Sequence, residues 1–373
     1  MKRKFAFSMM AATLCLALPF AASAAETVKI AIAGPFTGAN AAFGDQLWIG
    51  AVAAVEQINA NGGVNGKQLE LIKGDDACEP KQAVAVANRL VDQEKVAGVV
   101  GHFCSSSHIP ATEIYDEADV LSMACGATNP IITERDMPTV TRIVGRDDQQ
   151  ALVIGDFIVN DLKAKRIAVI HDKDTYGRGL ADATRKAVEA AGVEVAVFDG
   201  VNRGERDYNA LVTRMRSADV DAVFFGGLHG EAGTLVRQMR EQGMKQPFIS
   251  DDGIVDPAFV TAAGGPQYAS GVYMTFPQDP RNMDSSKDVV AKLTAEGKKS
   301  DGFTLYAYAG VQALAAALAG TNSTSGTELA DWMKANQVQT VLGPKAWDSK
   351  GDLQVANYVM YQWDDNGGYA ELK

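Results

Sequence analysis

The chain reads as an α/β protein of two lobes, each a parallel sheet wound with helices on both faces. Three observations predict this. Short apolar runs alternate with helical segments from residue 28 onward. The alternation breaks at residues 129–145 and then restarts. Beyond the first 25 residues, roughly 350 remain, more than one core usually supports.

The elements follow in order. Residues 28–33 are strand-like and lead into the turn Gly34-Pro-Phe-Thr-Gly38. Residues 43–61 read as a helix with Leu47, Val52, Val55 and Ile58 facing a core, stopped by Asn61-Gly62-Gly63. Residues 68–73 are a strand, and 80–92 a helix with Pro80 in its first turn, where no N–H is needed. Strands at 96–100 and 120–124 flank a helix at 109–118. After the break, helices at 151–162, 179–191, 208–217 and 231–242 alternate with strands at 166–170, 193–198, 222–225 and 247–249. Residues 271–276 read as a strand returning to the first sheet, and 358–363 as a late strand. The apolar helical run 305–318 is too short for a membrane span and contains Gln312. Crossings between lobes are expected at 129–145, 251–256 and 345–353.

Residues 1–25 stand apart from the fold. Lys2, Arg3 and Lys4 precede an apolar stretch, and Ala22-Ser23-Ala24 supplies the small-residue pattern of signal-peptide cleavage. Cleavage after Ala24 or Ala25 implies a periplasmic protein. It removes three basic residues and no acidic one, taking the net charge from −11 to −14. An acidic chain without a basic cluster excludes nucleic acid and anionic membrane as partners. It also leaves Cys78, Cys104 and Cys125, an odd number in an oxidising compartment: one bridge and one thiol, with all three pairings open.

Two segments carry the most chemistry. Gly101-His-Phe-Cys-Ser-Ser-Ser107 and Cys125-Gly-Ala-Thr-Asn-Pro130 each follow an apolar strand. In open α/β sheets, ligands sit beyond the carboxyl ends of strands, where helix N-termini offer free N–H groups to anions. Turns rich in Ser and Thr, without basic residues, suit one small carboxylate and not a polyphosphate. Ser105 alone would read as a helix cap, but three serines exceed what capping needs. Glu231, at a helix start after Gly226-Gly227, is either a dipole partner or an anion facing those turns across the cleft. Phe43, Phe103, Tyr176 and Tyr208 lie in or beside loop-like segments; singly they read as packing, together as an apolar wall. No G-x-S-x-G, H-E-x-x-H or P-loop motif is present, and His102, His108, His171 and His229 have no metal-ligand spacing. Asp75-Asp76 and Asp251-Asp252 read as acidic loop turns.

These segments resemble the periplasmic branched-chain amino-acid binding proteins of ABC importers. The resemblance rests on Asp75-Asp-Ala-Cys-Glu-Pro-Lys-Gln-Ala-Val-Ala-Val-Ala-Asn88, the two turns above, Ile170-His-Asp-Lys173 with Tyr176-Gly177, and Lys350-Gly-Asp-Leu353. It covers essentially the whole chain after residue 25. It implies the type I periplasmic binding protein fold, two doubly wound lobes joined by a three-strand hinge, divided as 26–146 and 255–350 in one lobe and 147–254 and 351–373 in the other. It implies that Ser105 and the Thr128 N–H take the ligand carboxylate. The Gly126 carbonyl, Thr128 hydroxyl and Glu231 would take its ammonium, with Phe43, Phe103, Cys104, Tyr176 and Tyr208 around the aliphatic side chain. It pairs Cys78 with Cys104 and leaves Cys125 free. Phe43 departs from the Trp of well-known relatives, and the family's last wall aromatic has no match in Phe276-Pro-Gln-Asp-Pro-Arg-Asn282. The implied function is capture of Leu, Ile or Val, with Ala or Thr as further candidates, by a monomer without cofactor or metal that docks on an inner-membrane permease. The competing classes are a sensory module of this fold and a secreted amino-acid-processing enzyme, for which no nucleophile or metal set is visible.

Overall fold

The structure is a computed structural model that describes residues 26–372; the expected signal peptide lies outside the described residues. The first sheet holds β1 (Thr27–Gly34), β2 (Gln68–Asp75), β3 (Gly98–Val100), β4 (Leu121–Ala124) and β5 (Val140–Arg142), all parallel, in the order β2-β1-β3-β4-β5. Helices cover both faces, so Ile30 to Gly34 of β1 are buried without alternation, as a two-sided parallel strand must be.

The second sheet holds β6 (Arg166–His171), β7 (Glu194–Gly200), β8 (Ala222–Gly226), β9 (Phe248–Ser250) and β10 (Tyr273–Pro277). After the hairpin of β11 (Val338–Thr340) and β12 (Gly343–Lys345), the chain returns to this sheet with β13 (Tyr358–Trp363) and β14 (Tyr369–Glu371). Its order is β14-β13-β10-β9-β8-β6-β7. The run β7-β6-β8-β9-β10 repeats the winding of the first sheet. Each lobe therefore has one switch point, between β1 and β3 and between β6 and β8, where loops part and a ligand can enter.

One expected element belongs elsewhere. The strand at 271–276 does not return to the first sheet: Tyr273 and Met274 pair in parallel with Ile249 and Ser250, and the whole strand pairs antiparallel with β13. Without it, the edge of β9 would be unpaired and the second winding incomplete. The second crossing therefore falls after Pro277 rather than at 251–256, and residues 255–277 go with the second lobe. The long helix Thr304–Thr321 then closes the first lobe, buried on nearly every side against the helix Ala41–Ala60.

The first and third crossings are pinned together. Trp347 Nε1 donates to the Arg142 carbonyl at 2.7 Å. Buried Asp352 receives Arg142 Nε and Arg146 Nη1, each at 2.6 Å.

Candidate functional site

The first-lobe half of the site is the turn after β3. Gly101 has φ 115°, and a Cβ there would run into the Ala33 carbonyl. Cys104 is extended, and the helix Ser105–Glu117 starts directly after it. A disulfide from Cys78, Cα–Cα 5.5 Å, ties the turn to the loop after β2. Behind it, His102 Nδ1 lies 2.5 Å from Asp76 Oδ2 and Nε2 lies 2.9 Å from the Tyr115 hydroxyl, all fully buried. That employs His102 structurally. Ser105 is buried, and its Oγ accepts the Asn129 N–H at 3.3 Å, which joins this turn to the one after β4. In the first turn the Ser107 N–H already donates to the Cys104 carbonyl at 3.0 Å, which leaves the Ser105 and Ser106 N–H groups without an intrahelical acceptor and free for an anion. Gly126 has no room for a Cβ because the Phe103 ring lies on it. Cys125 is free and buried, its thiol pushed up to about 12 by burial, so it is unreactive.

The second-lobe half presents acids. Tyr176, in the first turn of the helix Thr175–Ala190, donates its hydroxyl to Asp252 Oδ1. Asp252 follows β9 and is 2% exposed; its Oδ2 makes no well-formed hydrogen bond, with the Gln150 amide standing near it. Asp147, at the first crossing, is equally buried; the Thr128 hydroxyl stands near it without a well-formed hydrogen bond. Burial pushes Asp147 up to about 8 and Asp252 up to about 6. Asp251, by contrast, is satisfied by the Gly227 and Gly253 N–H groups, both at 2.9 Å. Arg203 is occupied by Asp172 at 3.0 Å and Asp174 at 2.9 Å, so it is not a free cation for a ligand.

Between these halves lies a narrow cleft, with Phe103, Ser105 and Gly126 from one lobe and Tyr176, Leu228 and Asp252 from the other. Phe303 adds an aromatic wall. The lobes touch across it. Asn129 Nδ2 donates to the Thr175 carbonyl at 3.1 Å, Gln46 Nε2 donates to Asp256 Oδ2 at 2.6 Å, and the Phe43 and His229 rings lie 5.2 Å apart. One wall offers hydroxyls and N–H groups; the other offers carboxylate oxygen without a partner. A family model described as periplasmic binding protein matches residues 27–368.

The chain belongs to the periplasmic binding protein family. A Pseudomonas aeruginosa protein named amino acid binding protein is 55% identical over 100% of this chain and 99% of its own length. The leucine-, isoleucine-, valine-, threonine- and alanine-binding protein of the same organism is 42% identical, covering 94% of this chain and 93% of its own. Among solved structures, the branched-chain amino acid transporter substrate binding protein LivJ of Streptococcus pneumoniae, in complex with isoleucine, matches with a TM-score of 0.85 at 27% identity, over 93% of this chain and 100% of that one. The Thermotoga maritima leucine binding protein LivK matches with a TM-score of 0.86 at 25% identity, over 93% and 98%.

In this periplasmic binding protein, the structure brings Phe103, Cys104, Ser105, Gly126 and Tyr176 to the cleft. Thr128 lies in the same turn as Gly126, its hydroxyl buried without a partner. Phe43 stands behind Phe103, its ring stacked at 4.5 Å, and supports the wall. Two expected residues do not line this cleft. Glu231 Oε1 accepts the Gly204 N–H at 3.0 Å and ties down a loop of its own lobe. The Tyr208 N–H donates to Gln238 Oε1 at 2.7 Å, and its ring is buried. The acid that faces the first-lobe turns is Asp252, which sequence reading treats as half of an acidic loop turn. Its signal was its place just after an apolar strand, the same position that singles out Ser105. Leu228 and Phe303 carry no such signal. Phe303 reaches the cleft from the far end of the chain and supplies an aromatic that Phe276–Asn282 could not. Among the described residues no group of His, Cys, Asp and Glu is placed to hold a metal, and no helix is long and apolar enough to cross a membrane.

Proposed function

We propose that this periplasmic binding protein captures a branched-chain amino acid as its zwitterion between closed lobes and is the solute-binding component of an ABC importer. The observation that carries the reading is the unpartnered Asp252 Oδ2 across the cleft from a cation-free anion turn. A buried carboxylate oxygen without a partner is strongly unfavourable, and an ammonium is the group that relieves it. The α-carboxylate then meets the Ser105 hydroxyl and the free N–H groups of its helix, while Phe103, Leu228 and Phe303 enclose an aliphatic side chain. Relatives that bind Leu, Ile and Val support this choice of ligand. One methylene changes affinity by only about 1–3 kcal/mol in such a pocket, so several aliphatic amino acids are accepted. The protein works in the periplasm as a monomer and delivers its ligand to an inner-membrane permease.

Calorimetric titration with leucine, isovalerate and leucine amide tests the reading. Leucine should bind at one site. Isovalerate leaves Asp252 unpaired, and leucine amide leaves the helix N-terminus without an anion, so each should bind weaker by about 2 kcal/mol or more, roughly thirtyfold. Equal affinities for the three would overturn it.

A further inference from the structure

A second pocket, open to solvent on one side, is built where the three crossings between lobes meet. Gly145 comes from the first crossing, Pro277 and Gln278 from the second, and Leu353 and Asn357 from the third. Met283, Tyr306 and Leu342 give it an apolar side, and Gln278, Lys345 and Asn357 a polar one. Its one charged lining group is Lys345, at the end of β12. Lys345 is half-buried, and among the described residues no carboxylate lies within 4.0 Å of its ammonium; none lines the cavity. Burial holds its pKa below the usual lysine range. A lysine withdrawn from water without a counter-charge is stabilised by any anion that can reach it.

We propose that this cavity is a second ligand site, for a small organic monoanion with an apolar body such as a short-chain carboxylate, and that its occupancy stabilises the closed lobes. Lys345 meets the anionic head, helped by the Gln278 and Asn357 amides, and the apolar side receives the chain. Coupling to closure follows from the lining. Every crossing contributes, and the crossings are the segments whose torsions change when the lobes rotate, so the anion makes different contacts in the open and closed states. The two cavities also share a wall: Tyr306 of the hinge cavity packs on Phe303 of the cleft, centroids 6.0 Å apart. Anion and amino acid then raise each other's affinity by the same factor. The coupling rests on the amino-acid reading; the site itself does not.

Hexanoate is the probe, titrated by calorimetry into the full chain. It should bind at one site, unchanged in Ser105→Ala, weaker by about tenfold or more in Lys345→Met, and retained in Lys345→Arg, which keeps the charge. Leucine at saturation should tighten hexanoate severalfold, while Lys345→Met should bind leucine alone as the parent does. Thermal melts of Lys345→Met that match the parent exclude misfolding as the cause. Hexanoate binding that disappears in Ser105→Ala, or that leucine competes away, places the anion in the cleft and overturns the proposal. So does equal binding to the parent and Lys345→Met, or no saturation by about 10 mM. Absence of leucine binding overturns the amino-acid reading instead, and the Lys345 comparison still decides the hinge site.

Discussion

At the scale of the residue, the proposed recognition and its pH dependence turn on Asp252. Asp252→Asn keeps the Tyr176 contact but removes the charge, so leucine affinity should fall by about 2–5 kcal/mol. Glu231→Gln, whose oxygen still accepts the Gly204 N–H, should stay close to the parent in the same titration. Burial raises Asp147 to about 8 and Asp252 to about 6, against an ordinary value of 3.8. The unliganded fold therefore binds more protons than the unfolded chain between about pH 4 and 8, and it loses stability as pH rises through that window. Ammonium binding requires ionised Asp252, so leucine should release protons near pH 6 and bind more weakly below it. Calorimetry in phosphate and in bis-Tris at about pH 6 reads this as different apparent heats, and the difference should shrink in Asp252→Asn. Identical heats in both buffers would refute the assignment of Asp252 to the ammonium. Ser105 was readable because its chemistry is local. Asp252 was not singled out because an acidic loop pair looks the same whether it faces solvent or a cleft.

At the scale of the element, the turn after β3 is held by covalent and steric devices rather than by its own propensity. Alkylation of denatured, unreduced protein should label Cys125 alone, with Cys78 and Cys104 recovered as one bridged peptide. The bridge spans a sequence separation of 26, and removing it as Cys78→Ser/Cys104→Ser should cost about 3–4 kcal/mol of stability, read as a lower thermal midpoint. Leucine affinity should fall as well, because Cys104 directly precedes Ser105. Most strands and helices up to residue 250 were legible because apolar period and turn residues agree; β5, inside the expected crossing at 129–145, was not, being only three residues long. The strand at 273–277 was seen, but its sheet was not: an apolar strand carries no mark of which lobe's edge it will pair with.

At the scale of the whole molecule, two similarly wound lobes meet around one ligand, and few polar contacts hold them closed. Gln46 to Asp256 is one of these, at 2.6 Å between lobes. Asp256→Ser retains a cap for the Ala258 N–H but cannot reach Gln46. The loss of one hydrogen bond to a charged group should weaken leucine by about 1.5 kcal/mol, mainly through faster dissociation. Stopped-flow release should show that rate, and small-angle scattering should show a smaller ligand-induced compaction. An unchanged release rate would mean that closure is governed by the ligand alone.

The amino-acid sequence by itself determined the fold class, the restart that makes two lobes, the Ser- and Thr-bearing turns at Ser105 and Thr128, and the family to which those segments point. These are local properties: hydrophobic period, turn chemistry and the residue types that follow a strand. Only the tertiary structure decided that Asp252 rather than Glu231 lines the cleft, that Phe303 joins its wall, and that the second crossing follows Pro277. Each of these depends on which distant segments meet at a sheet edge or across a cleft, and such pairing is selected by the complementarity of whole surfaces, which no short window of sequence contains.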